Sequence, residues 1–60
     1  MNYVLFKVSE DGVEEYIGRK ADNSLGLTDQ RACALPFETA RLAYEFGGEH
    51  RLLDMKVGYR

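Results

Sequence analysis

The sequence predicts an α+β domain: three or four antiparallel strands form a sheet, and one short helix packs on one face, in the order β-β-α-β. Three observations carry this. Two alternating stretches rich in β-branched and aromatic residues flank Asp11-Gly12. One stretch, Thr39 to Gly48, has helical apolar spacing. The chain then returns to alternation through Leu53, Met55, Val57 and Tyr59. A helix this short is stable only when packed, and a sheet needs a cover for its apolar face, so each element implies the other.

Tyr3 to Ser9 (YVLFKVS) reads as the first strand. Asp11-Gly12 signals a hairpin, because a type I′ turn needs positive φ at both central positions. Val13 to Arg19 (VEEYIGR) is the returning strand. With a two-residue loop, Phe6 faces Ile17 and Val8 faces Glu15. Val4, Phe6, Val8, Val13 and Ile17 then share one face, and Tyr3, Leu5, Lys7 and Tyr16 the other. A one-residue bulge would shift the register and regroup both sets. The two-residue turn is preferred because it collects more apolar residues on one side.

Lys20 to Gly26 reads as a loop of turn-forming residues. Over residues 28–37 two readings stand. Thr28 or Asp29 caps a helical turn through Cys33, or Ala34 to Phe37 runs extended, since the residue before Pro36 is pushed out of helical geometry. Thr39 or Glu38 opens the helix, and Ala40 to Phe46 forms about two turns with Leu42, Ala43 and Phe46 as its apolar stripe. Gly47-Gly48 supplies a left-handed C-cap. In the last strand Leu53, Met55, Val57 and Tyr59 point one way, and Asp54, Lys56 and Gly58 the other.

Sixty residues make a single small domain, residues 1–60, with a thin core. Cys33 is the only cysteine, so no disulfide can form within the chain. The odd thiol and the lack of a leader-like segment predict a cytoplasmic protein. No apolar run approaches the roughly 20 residues of a membrane span. The formal net charge is −2, which argues against a phosphate-binding face. Residues 1–30 hold six acids and three bases, and residues 31–60 four acids and five bases. Glu10, Asp11, Glu14 and Glu15 crowd the hairpin, either as a solvated tip or as an acidic surface for a basic partner.

Little here supports chemistry. His50 and Cys33 stand alone, far apart and without metal-ligand spacing, so neither a metal nor a cofactor is expected. His50 reads as an exposed residue near a strand start, and Cys33, between two alanines, as a small buried hydrophobe. Gly47-Gly48 follows a helix rather than opening one, so it offers no anion site. The four tyrosines are more informative, because tyrosine is enriched at interfaces. They either pad a thin core or form a contact surface. In the second case Tyr3, Leu5 and Tyr16 lie on the sheet face the helix leaves uncovered, with Arg19, Arg41, Arg51 and Arg60 at the rim and Glu14 and Glu15 on the adjoining hairpin.

Leu27-Thr28-Asp29, Ala34, Phe37, Thr39, Ala43 and Gly47-Gly48, in that order between a hairpin and a last strand, resemble a loose group of small proteins encoded by bacteriophages and prophages. The resemblance implies an accessory protein of the host cytoplasm that binds a bacterial protein to block or redirect it. It implies no active site. The expected function is therefore non-enzymatic binding of a bacterial host protein through Tyr3, Leu5, Tyr16, Glu14 and Glu15. The alternatives are a module that stacks single-stranded nucleic acid on exposed tyrosines and a self-associating protein, such as a homodimer, that pairs through an edge strand.

Overall fold

A computed structural model describes residues 2–52 and 54–59. Strands β1 (Tyr3–Val8), β2 (Glu14–Arg19) and β3 (Leu25–Thr28) are followed by a 3-10 turn (Arg31–Cys33), helix α1 (Ala40–Glu49) and strand β4 (Lys56–Tyr59). The sheet order is β3-β2-β1-β4, antiparallel throughout, with the helix on one face. The α+β class holds, and the fourth strand is β3. Its four residues, Leu-Gly-Leu-Thr, are too few and too glycine-broken to announce themselves.

The first hairpin differs from the expected two-residue turn. Phe6 pairs with Tyr16, Lys7 with Glu15 and Val8 with Glu14. Ser9 N donates to the Val13 carbonyl at 2.9 Å, and Gly12 N donates back to the Ser9 carbonyl at 2.9 Å. Only Gly12, not Asp11, has positive φ, at 82°. This is a three-residue loop closed by a bulge at a left-handed glycine. The second hairpin repeats it. Lys20 N donates to the Ser24 carbonyl, Asn23 N returns to the Lys20 carbonyl, and Asn23 takes φ 70°. Asparagine tolerates that region because its short side chain can hydrogen-bond locally.

The extra residue moves every β2 side chain to the other face. Leu5 and Ile17 therefore lie together under the helix, 2% and 4% exposed. Val4, Phe6 and Tyr16 lie on the opposite face with Ala34. The predicted grouping of Val4 and Phe6 with Ile17, and of Leu5 with Tyr16, is thus corrected. Burying Leu5 and Ile17 contributes about 1.5–3 kcal/mol each.

Residues 28–37 contain both structures anticipated for them, in succession. After the 3-10 turn, Ala34 bridges Gly18 and Phe37 bridges Tyr3, each in the antiparallel sense. Leu35 N donates to the Ile17 carbonyl at 2.9 Å, and Tyr3 and Phe37 exchange backbone bonds of 2.7 and 2.8 Å. Since β1 and β2 run in opposite directions, a segment antiparallel to both must bend between the two bridges, and Pro36 stands there. Ala34 packs with Val4 and Tyr16, whereas Leu35 and Phe37 pack with Leu5, Ile17 and Ala43. The chain thus crosses from one face to the other at the open end of the first hairpin. Gly18 permits this, because a Cβ there would lie 2.7 Å from the Cys33 carbonyl oxygen.

Thr39 is the N-cap, its Oγ1 accepting from Leu42 N at 3.1 Å. The helix then runs three residues past Phe46, so Gly47-Gly48 lies inside it rather than capping it. The left-handed residue is Arg51, at φ 56°. Leu52 N donates to the Gly47 carbonyl at 2.8 Å and Arg51 N to the Gly48 carbonyl at 3.3 Å. These two bonds make a Schellman ending on a non-glycine residue. Ala43 and Gly47 are the buried helix residues, while Leu42, expected in the stripe, is 47% exposed. Strand β4 puts Val57 beside Leu5 and Tyr59 beside Tyr3. Leu53, predicted on the same side as Met55, Val57 and Tyr59, and Arg60, predicted at the rim, lie outside the described residues.

Candidate functional site

The five predicted contact residues do not share an uncovered face. Leu5 is buried beneath the helix. Tyr16 is buried on the opposite face, and its hydroxyl donates to Glu14 Oε1 at 2.8 Å. That bond raises the Tyr16 pKa, because a phenolate would face the Glu14 carboxylate; burial adds to the rise and Arg31 opposes it. Glu15 belongs to the helix side, opposite Lys7, while Glu14 is exposed beside Tyr16. Tyr3 is half-buried, with its ring edge-on to Tyr59 at 5.2 Å. The bulge at Gly12 is what separates these residues.

The histidine and cysteine sit on different elements. Cys33 is exposed, not buried as its alanine neighbours suggested, and sits in the 3-10 turn beside Gly18. His50 ends the helix and sets its ring at a tilt against Phe46, ring centroids 4.3 Å apart. Among the described residues no three potential metal ligands converge. No helix among them is long and apolar enough to cross a membrane.

The helix instead forms one wall of a groove of about 370 Å³. Leu42, Glu45, Phe46 and Glu49 line it, spaced i, i+3, i+4 and i+7, so a single helix stripe faces the groove. The Thr39 cap fixes where this stripe begins. Pro36, Phe37 and Glu38 form the other wall, held in place by the Phe37–Tyr3 bridge. Phe37 and Phe46 meet at the bottom, ring centroids 5.1 Å apart. The floor and walls are therefore apolar and aromatic, and the polar lining is three glutamates. Glu45 lies 3.6 Å from Arg41 Nε in an exposed i,i+4 pair. Among the described residues, Glu38 and Glu49 have no ion-pair partner.

Half of this site was legible in the sequence. Leu42 and Phe46 stand on the predicted apolar stripe, but Glu45 does not, and ending the helix at Phe46 left Glu49 outside it. The opposite wall depends on the Tyr3–Phe37 bridge, which has no local sequence signal. On the other flank of the helix, a smaller cavity of about 190 Å³ is lined by Leu5, Tyr44, Gly47, Gly48, Leu52 and Met55, none of them charged. The chain matches no protein-family model, no curated protein and no solved structure.

Proposed function

We propose that this chain is a non-enzymatic binding protein of the phage or prophage accessory kind, which docks on a bacterial host protein in the host cytoplasm and modulates it. The observation that supports this reading is the groove between the helix and the Pro36–Glu38 segment. It combines an aromatic floor with a large exposed aliphatic residue, Leu42, at its edge. Such a surface suits a protein side chain better than a reaction. Its only ionisable lining groups are carboxylates on exposed residues, and general acid–base work calls for a positioned group in a water-poor site. Apolar floors with polar rims are the usual anatomy of protein contacts. The contact surface proposed here replaces the sheet face suggested by the tyrosines, whose Leu5 and Tyr16 are buried.

Capture from bacterial lysate by the immobilised full chain tests the reading. The wild type should retain a defined partner, and Leu42→Ser, which removes an exposed side chain and leaves the core intact, should lose it. Equal capture by both proteins would refute the assignment to this groove.

A further inference from the structure

We infer that the groove's occupant is a basic segment of its protein partner, in which a leucine or phenylalanine enters between Phe37 and Phe46 while flanking arginines or lysines meet Glu38, Glu45 and Glu49. This rests on the reading of the groove as the docking surface and adds the chemistry of what docks there.

The argument begins with the helix's own electrostatics. The C-terminal end of a helix carries partial negative charge and favours cations. Here the last turn holds no base and ends on Glu49. Glu45 and Glu49 are one turn apart, where like charges destabilise a helix. Glu49 therefore brings the fold no local gain, and Glu45 has only its exposed pair with Arg41 to set against the repulsion. Both acids face the same groove, and Glu38 adds a third carboxylate from the opposite wall. Acids that oppose the helix yet converge on one apolar groove are a local conflict of the kind found at functional surfaces. Arg41 partly offsets Glu45 only, and that pair is exposed, so water and salt weaken it.

The charge of the rim selects the occupant. A phosphate-bearing ligand would be repelled by three carboxylates. An acidic peptide would be repelled likewise. A neutral apolar segment would fill the floor and leave the rim unused. A basic apolar segment satisfies both parts, and its attraction also speeds the encounter. Arginine suits the rim best, since its planar fork can take a carboxylate by two hydrogen bonds.

Titration of the full chain with three blocked heptapeptides tests this, followed by amide and methyl NMR shifts. Each peptide carries a central Leu-Phe pair, flanked by arginines, by serines or by glutamates. The arginine peptide should bind about tenfold tighter than the serine peptide, a free-energy difference of about 1.4 kcal/mol. The glutamate peptide should not bind. Shifts should centre on Phe37, Leu42 and Phe46, and affinity for the arginine peptide should fall as salt shortens the screening length from its ~10 Å at 0.1 M. In Glu45→Gln/Glu49→Gln, whose helix should be no less stable than the wild type's, the arginine peptide should bind no better than the serine peptide.

Equal binding of the arginine and serine peptides at the groove would overturn the basic-partner inference and leave the docking reading standing. No shift at the groove with any peptide would overturn both. Groove shifts that depend on protein concentration without peptide would assign the occupant to a second copy and overturn the inference as well.

Discussion

Phe6 stands directly opposite Tyr16 across β1 and β2, their ring centroids 6.2 Å apart, on the sheet face away from the helix. The pair records the register of the first hairpin. One residue fewer in the loop would put Ile17 opposite Phe6 and turn Tyr16 towards the helix. The register in turn depends on Gly12, whose φ of 82° closes the three-residue loop.

Gly12→Ala should therefore lower stability by about 1 kcal/mol, although a Cβ there meets nothing within 4 Å. The cost is conformational, not steric crowding. Gly12→Asn should cost less, as Asn23 already serves at the equivalent place in the second hairpin. Urea unfolding of the three proteins measures this. Equal losses for Ala and Asn would contradict the left-handed assignment.

Tyr16 gives an alkaline signature. Its pKa is raised by the hydrogen bond to Glu14, so the folded state holds the phenol proton more tightly than the unfolded chain does. The stability from this bond is complete below the ordinary tyrosine pKa of about 10 and is lost as pH rises through the higher folded value. Phenolate absorbance should show a late step, above the ordinary tyrosine range, that belongs to Tyr16. Tyr16→Phe should remove that late step and lower neutral-pH stability by the loss of the bond to Glu14. Tyr16→Ala would empty part of a small core at a cost of about 3–5 kcal/mol, so loss of binding in that variant would report unfolding.

The helix end should be easy to improve. Gly48 is helical, exposed and clear of neighbours, so Gly48→Ala should raise stability by about 1 kcal/mol. Arg51 holds the left-handed position after the helix, where Arg51→Gly should gain about 0.5–1 kcal/mol. Thermal unfolding reads both. A loss in Gly48→Ala would restore the cap role first expected for the glycine pair.

The second hairpin should loosen in acid. Asp22 Oδ1 accepts from Ser24 Oγ at 2.6 Å and from Ser24 N at 3.0 Å, and these bonds lower the Asp22 pKa. Their contribution is present above the unfolded pKa and disappears as pH falls through the lower folded value. Amide exchange at Ser24 and Asn23, corrected for the intrinsic pH dependence, should accelerate over that window. In Asp22→Asn the acceleration should vanish. An unchanged profile would mean the carboxylate does not hold the turn.

Local sequence sufficed for the α+β class and for the types of β1, β2, α1 and β4, but not for β3, whose residues Leu25 and Gly26 read as the end of a loop. Alternation in Tyr3–Val8 and Glu14–Arg19, the Thr39 cap and the spacing of Leu42 and Phe46 are local signals, and local backbone physics reads them. Tertiary structure decided what those signals left degenerate. Asp11-Gly12 fits a two-residue turn or a bulged three-residue loop, and burial of Leu5 with Ile17 on one face and of Val4 with Tyr16 on the other accompanies the second. Gly47-Gly48 resembles a stop, yet the helix continues to Glu49 and the left-handed residue is Arg51. The groove depends on both outcomes and on the Tyr3–Phe37 bridge, a contact between residues 34 apart in sequence. Periodicity assigns a side chain to a face, but which face is buried, and what stands across from it, is settled only when distant segments compete for the same apolar surface.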